Sequence, residues 1–208
     1  VTDIFTGVYA ATAILAALVQ RGRTGEGQQI DMALLDVATS VMANQAMNYL
    51  ASGKAPGLMG NAHPNLAPYA VFDCKDGWLI LATGNDGQYQ RLCRILGLEA
   101  MATEPRFLTN ADRIANRAEM TERLTAATKT WAKADLLAAC EAEGVPAGPI
   151  NDLAEVFADP QVVARGMQIA PEGMKGVRSP MTFSGAELAL DRPAPRLGQH
   201  QEEVLGKV

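Results

Sequence analysis

The chain has 208 residues, 48% of them hydrophobic and 20% charged, a balance that provides for a sizeable core and excludes intrinsic disorder. A formal net charge of −5 and a pI near 5.1 argue against a nucleic-acid or anionic-membrane partner, each of which needs a basic face. Arg21, Arg23, Arg113, Arg117 and Arg123 are interspersed with acids and apolar residues, as on solvated helix faces, and Cys74, Cys93 and Cys140 lack the number and spacing of a disulfide framework or zinc site, which fits a reducing compartment; with no signal peptide visible, cytoplasmic is the default expectation.

The first residue is Val1, with no initiator Met and no polar leader, so the chain reads as a fragment. Residues 4–20 carry helical spacing with small residues at Ala10, Ala11, Ala13, Ala16 and Ala17, and predict a closely packed core helix rather than a membrane span. The basic, glycine-rich turn 21–27 follows. Residues 28–34 alternate as a strand would, and 36–50 return to helical spacing, so the segment reads as helix, strand, helix, an α/β rhythm.

Gly53, Pro56, Gly57, Gly60, Asn61, Pro64 and Pro68 then concentrate special-backbone residues in 52–68, which marks a linker or functional loop and a domain boundary. Strands at 69–74 and 78–83 flank Lys75-Asp76-Gly77, a strong hairpin signal. Helices are expected at 87–96, 110–128, 133–143 and 153–158. Beyond residue 164 the pattern gives strand-like pieces at 167–170 and 181–183, a proline-rich stretch and a short helix from Gln199.

Read without relatives, the chemistry-bearing candidates all have plain structural explanations. Asp3 stands where an N-cap would stand, accepting backbone N–H bonds at the head of an apolar helix. Gly60 and Asn61 suit a turn of positive φ, and His63 has no acid beside it in sequence. Asn85 or Asp86, with Gln88 beyond, forms a helix cap. The Arg21–Gly27 turn lacks the spacing of a P-loop or a dinucleotide fingerprint.

Taken together and in order, several stretches resemble the family III CoA transferases (CaiB/BaiF). They are Thr2-Asp3-Ile4-Phe5-Thr6-Gly7, Thr24-Gly25-Glu26-Gly27-Gln28, Gly60-Asn61-Ala62-His63-Pro64 with Pro68-Tyr69, and Gly144-Val145-Pro146-Ala147-Gly148-Pro149-Ile150. Gly84-Asn85-Asp86, Asp159-Pro160-Gln161 and Leu197-Gly198-Gln199-His200 agree, so the resemblance runs over nearly the whole chain.

The resemblance implies an α/β fold: a remnant of a Rossmann-like large domain in 1–53, a linker and smaller α+β domain in 54–166, and 167–208 returning towards the large domain. It implies an interlocked homodimer. It also implies that Asp3 is the nucleophile, attacking a CoA thioester to give covalent aspartyl intermediates that pass CoA to an acceptor carboxylate. The macrodipole at a helix N-terminus favours the negative charge such a role needs.

In the relatives a glycine-rich loop closes over that intermediate, and the matching residues here are Gly60, Asn61 and His63, with the first two supplying N–H groups to a developing oxyanion. The implied substrates are an acyl-CoA, succinyl-CoA-like, and a small carboxylic acid, with no metal, flavin or nicotinamide. Much of the CoA nucleotide would be held by a part preceding Val1, so this chain alone is expected to bind CoA poorly. Two other readings stay open: an α-methylacyl-CoA racemase, ranked second because Phe5-Thr6-Gly7 follows Asp3 where racemases run to glycines, and a non-catalytic fragment that only dimerises.

Overall fold

The computed structural model describes residues 1–206, which fall into two compact units, Val1–Asn65 and the residues from Leu66 onward. The boundary lies inside the proline- and glycine-rich stretch 52–68.

In the first unit, α1 (Thr2–Thr24) is followed by α2 (Leu34–Ser40) and α3 (Ala43–Ser52), with α1 packed on α2. Helix α1 begins two residues before and ends four after the sequence expectation. Its C-terminus is closed by Gly25 in the left-handed conformation (φ 77°), whose N–H donates to the Arg21 carbonyl at 2.8 Å. The Arg21–Gly27 turn is therefore a helix stop. Residues 28–33 follow as unpaired chain, since no second strand lies beside them among the described residues, and the expected helix–strand–helix rhythm is not realised in this unit.

The single helix expected over 36–50 is broken between α2 and α3. The Thr39 and Ser40 hydroxyls bond back to the Leu35 and Asp36 carbonyls at 2.8 and 2.9 Å, a pattern that bends helices, and Ala43 takes a φ of 45°. Burial also departs from expectation. No residue of α1 is buried, and Ile4, Val8, Leu15 and Val19 lie exposed, because the first unit supplies little to cover them. By length and composition α1 is also long and apolar enough to cross a membrane, a measure that core helices of soluble proteins satisfy as well.

The second unit holds the core. Strands β1 (Tyr69–Cys74), β2 (Gly77–Ala82) and β3 (Ala147–Ile150) form an antiparallel sheet in that order, with Phe72 opposite Leu79 and Leu79 opposite Pro149. Strand β3 comes from the Gly144–Ile150 stretch, whose prolines and glycines read as punctuation. Pro149 is tolerated because β3 is the edge of the sheet. In the β1–β2 turn, Gly77 alone takes a positive φ (147°), so Lys75-Asp76 forms the loop, not Asp76-Gly77. The turn is held from outside: Lys75 N–H donates to Trp131 O at 3.0 Å, and Asp76 Oδ1 accepts from Lys133 N–H at 2.7 Å.

Around the sheet lie α4 (Asp86–Ile95), α5 (Glu99–Ala102), a 3-10 turn at Pro105–Phe107, α6 (Asn110–Ala115), α7 (Arg117–Thr128) and α8 (Lys133–Ala142). Leu79, Leu81, Tyr89, Leu92, Met101, Phe107, Leu124 and Leu136 interlock between them with no exposed surface. Apolar side chains of this size contribute about 1.5–3 kcal/mol each on burial. The helix expected over 110–128 is two, because Asn116 leaves helical geometry and its Nδ2 donates to the Asp112 and Arg106 carbonyls.

Helices α9 (Leu153–Ala158) and α10 (Pro160–Ala164) start on capping aspartates, Asp152 and Asp159. A two-stranded ribbon follows, β4 (Gln168–Ile169) with β5 (Gly176–Val177). No strand forms at the expected 181–183, and β4 pairs instead with β5. The last element among the described residues is α11 (Gln201–Leu205).

Candidate active site

Asp3 lies in the first turn of α1 and is exposed. It is not the N-cap, which is Val1, and its side chain makes no capping bond and no ion pair among the described residues. A first-turn carboxylate with no structural partner is left available for chemistry. The Arg21–Gly27 turn, in contrast, sits at the carbonyl end of the same helix, where backbone groups repel anions, so it offers no phosphate cradle.

Gly60, Asn61 and His63 lie in the connection after α3. Gly53 ends α3 at φ 69°, with its N–H on the Tyr49 carbonyl at 2.7 Å. Residues 53–58 are then exposed chain. Gly60 takes φ 60°, and nothing lies within 4 Å of the place a Cβ would occupy, so glycine is required there by backbone conformation rather than by crowding. The Ala62 N–H closes a turn on the Met59 carbonyl at 3.2 Å. His63 Nδ1 accepts from the Asn65 N–H at 3.1 Å, which gives the imidazole a local structural role. Asn48 of α3 and Asn65 exchange a reciprocal amide pair at 3.1 and 3.2 Å, pinning the far end of the loop to the helix from which it departs.

Just beyond, three successive peptide groups are gripped by side chains of the second unit. Arg117 Nη1 donates to Leu66 O at 3.4 Å; Asn110 Oδ1 accepts from Ala67 N–H at 3.0 Å; Arg113 Nε donates to Ala67 O at 2.6 Å. The Pro68 carbonyl accepts from both the N–H and the hydroxyl of Thr83, each at 3.0 Å. Arg113 is 1% exposed, and its remaining donors reach Phe107 O, Leu108 O and Asp86 Oδ1 at 3.1, 3.2 and 2.7 Å while its guanidinium stacks 4.5 Å from the Tyr89 ring centre.

None of Asn48, Asn65, Asn110 or Arg113 was singled out as a loop holder by sequence spacing. Their partners are 17 to 46 residues away, and main-chain acceptors leave no trace in residue type. The cap at Asn85 is as expected: its Oδ1 accepts from Gln88 N–H at 2.9 Å, and Gln88 Oε1 accepts from Gly84 N–H at 2.7 Å. Among the described residues no group of three or more His, Cys, Asp or Glu could hold a metal ion. A recess of about 240 Å³ in the first unit is lined by Tyr9, Asp31, Asp36 and Ser40, one face of which is α1, but Asp3 is not among its lining residues.

The chain belongs to CoA-transferase family III, whose model matches residues 1–201, and its mixed α/β architecture agrees with solved structures of that class. It is 53% identical, over its whole length, to a succinate–glutarate CoA-transferase from Agrobacterium fabrum, of which it covers 53%. It is 36% identical to the human succinyl-CoA:glutarate CoA-transferase, covering 48% of that protein. A crystal structure of a CaiB/BaiF family protein from Brucella suis superposes on 98% of the chain with a TM-score of 0.83 at 54% identity, and the chain covers 54% of it. The chain thus spans about half the length of the curated relatives it matches.

Proposed function

We propose that the protein containing this chain moves CoA from a succinyl-CoA-like donor to a small, dicarboxylic acceptor, with Asp3 as the nucleophile. The observation that carries this is Asp3 itself, exposed and unpartnered on the first turn of α1 in a chain whose family is established. The likeness to succinate–glutarate transferases supports the substrate class.

A carboxylate oxygen of Asp3 attacks the thioester carbonyl carbon of the donor; the carbon–sulfur bond breaks and CoA leaves as thiolate, with an acyl-aspartyl anhydride formed. The thiolate then attacks the Asp3 carboxyl carbon, releasing the donor acid and leaving an aspartyl-CoA thioester. The acceptor carboxylate attacks that carbon and expels the thiolate, which finally takes the acceptor's acyl group and frees Asp3. Each displacement is easier than direct exchange between a thioester and a carboxylate.

Water would destroy either intermediate, which gives the 54–65 loop its task. Closed over Asp3, it excludes solvent and can offer the Gly60 and Asn61 N–H groups to the oxyanion. His63 Nδ1, accepting from the Asn65 N–H, helps to shape the loop. The exposed apolar side chains of α1 fit a helix covered by the rest of a Rossmann-like large domain or by a second subunit of an interlocked dimer, and the three free cysteines fit a cytoplasmic enzyme.

The test is transfer itself: with the full-length protein, succinyl-CoA and glutarate should give glutaryl-CoA and succinate in equal amounts. Release of α-deuterium from a 2-methylacyl-CoA with no carboxylate acceptor present would instead assign the racemase chemistry.

A further inference from the structure

Both ends of the glycine-rich loop are tied to one residue of α3. At the start, the Ser52 hydroxyl donates to the Asn48 carbonyl at 2.7 Å and accepts from the Lys54 N–H at 3.1 Å, beside the Gly53 stop on the Tyr49 carbonyl. At the end, 17 residues along the chain, the Asn48 and Asn65 amides exchange two hydrogen bonds, each from Nδ2 to Oδ1, at 3.1 and 3.2 Å. The turn at 59–62, with Gly60 at φ 60°, lies between the two ties, and all of these groups belong to the first unit.

Such an amide pair is directional. Two carboxamides meet donor to acceptor both ways only when each presents the opposite edge, so the pair fixes how Asn65 approaches α3 as well as how near it comes. Asn48 stands inside α3 (Ala43–Ser52), where asparagine is a poor helix former, so the helix itself draws nothing from this residue that Ala would not give.

We propose that Asn48 is a positioning residue for the glycine-rich loop: by joining both ends of the loop to one turn of α3, it favours the conformation in which the turn carrying Gly60 and Asn61 shields the aspartyl intermediates from water. This deepens the reading above and rests on the loop's role there. The physical basis is loop entropy. A segment whose ends are joined has fewer open conformations to lose on closing, whatever further contacts its interior residues make, so the tie raises the fraction of time spent closed.

The experiment is a double-mutant cycle in the full-length protein: parent, Asn48→Ala, Asn65→Ala and the double variant. The ratio of succinyl-CoA hydrolysis to CoA transfer is measured for each, and the Asp3 adduct formed with no acceptor present is measured in the parent. Asn48→Ala should raise the ratio about fivefold in the parent background, the order of one hydrogen-bonded contact, and should not move it in the Asn65→Ala background. The cycle isolates the pair, because every other contact of Asn65 is missing from both members of the second comparison. Lower stability alone reduces both rates together and leaves the ratio where it was. An unmoved ratio in Asn48→Ala, or an equal rise in both backgrounds, overturns the proposal. If an alanine variant does not fold, the isosteric Asn48→Asp, which turns the donor facing Asn65 Oδ1 into an acceptor, should by itself raise the ratio, and an unmoved ratio there overturns the proposal equally. A parent protein that forms no Asp3 adduct contradicts the proposed function itself, whereas an adduct with an unmoved ratio contradicts only the role of Asn48.

Discussion

Arg113 Nε donates to the Ala67 carbonyl at 2.6 Å from a position with 1% exposure, joining α6 to the residue that leads out of the glycine-rich loop. Losing this side chain strands the Ala67, Phe107 and Leu108 carbonyls and the Asp86 carboxylate together. Arg113→Met should therefore destabilise the protein by about 3–5 kcal/mol, the range for breaking a buried, hydrogen-bonded charge. Asp86→Asn, which keeps an acceptor at a half-exposed position, should cost much less; urea unfolding curves of both variants check the order.

Acid should loosen the second unit through three carboxylates. Hydrogen bonds from Arg123 and then Arg106 hold Glu104 below its ordinary value; the Thr109 hydroxyl and N–H do so for Asp112; and the Asp152 N–H and Lys133 do so for Glu155. Because each folded value lies below the unfolded one, the stabilisation is complete above the ordinary carboxylate range and is lost as pH falls through the depressed values. The expected outcome is a melting temperature that is flat near neutrality and falls on the acid side of that range. Glu104→Gln combined with Asp112→Asn should make the acid limb shallower, with only a small loss at neutral pH because these groups are solvated.

Thiol reactivity should be low. Burial pushes Cys140 up to about 11 and also raises Cys93 and Cys74. At pH 7 the folded protein should react slowly with a thiol reagent, Cys74 first because it alone is partly exposed, and all three rapidly in denaturant. Immediate labelling of Cys140 in the native state would contradict its placement in the core.

Gly60→Ala isolates a backbone effect, since nothing lies within 4 Å of the new methyl group but φ is 60°. The expected loss of stability is about 1 kcal/mol, from forcing Ala into the left-handed region. The informative reading is catalytic: a loop biased away from this turn should hydrolyse more acyl-CoA per transfer than the parent.

Local signals carried much of the fold. The β1–β2 hairpin, α8, α9 and the Asn85 cap were legible because each depends on residues within a few positions of one another. The Gly144–Ile150 stretch hid an edge strand, since its pairing with β2 lies some 70 residues away and its prolines and glycines masked the pattern. The alternation in 28–34 signalled a strand, but alternation supplies no partner, and none lies beside it. Exposure of α1 could not be read from its apolar composition, which states what the helix would bury and not what covers it. For the site, Asp3 and the loop were visible only through motif resemblance. Arg113 looked like a surface charge because its reason for burial is a set of main-chain carbonyls brought together by folding.

The most direct measurement is peptide mass spectrometry of the full-length protein after incubation with succinyl-CoA and trapping with hydroxylamine. The account predicts a hydroxamate on Asp3 in the parent, none in Asp3→Ala, and loss of CoA transfer in that variant. Trapping at another residue, or undiminished transfer by Asp3→Ala, would contradict it.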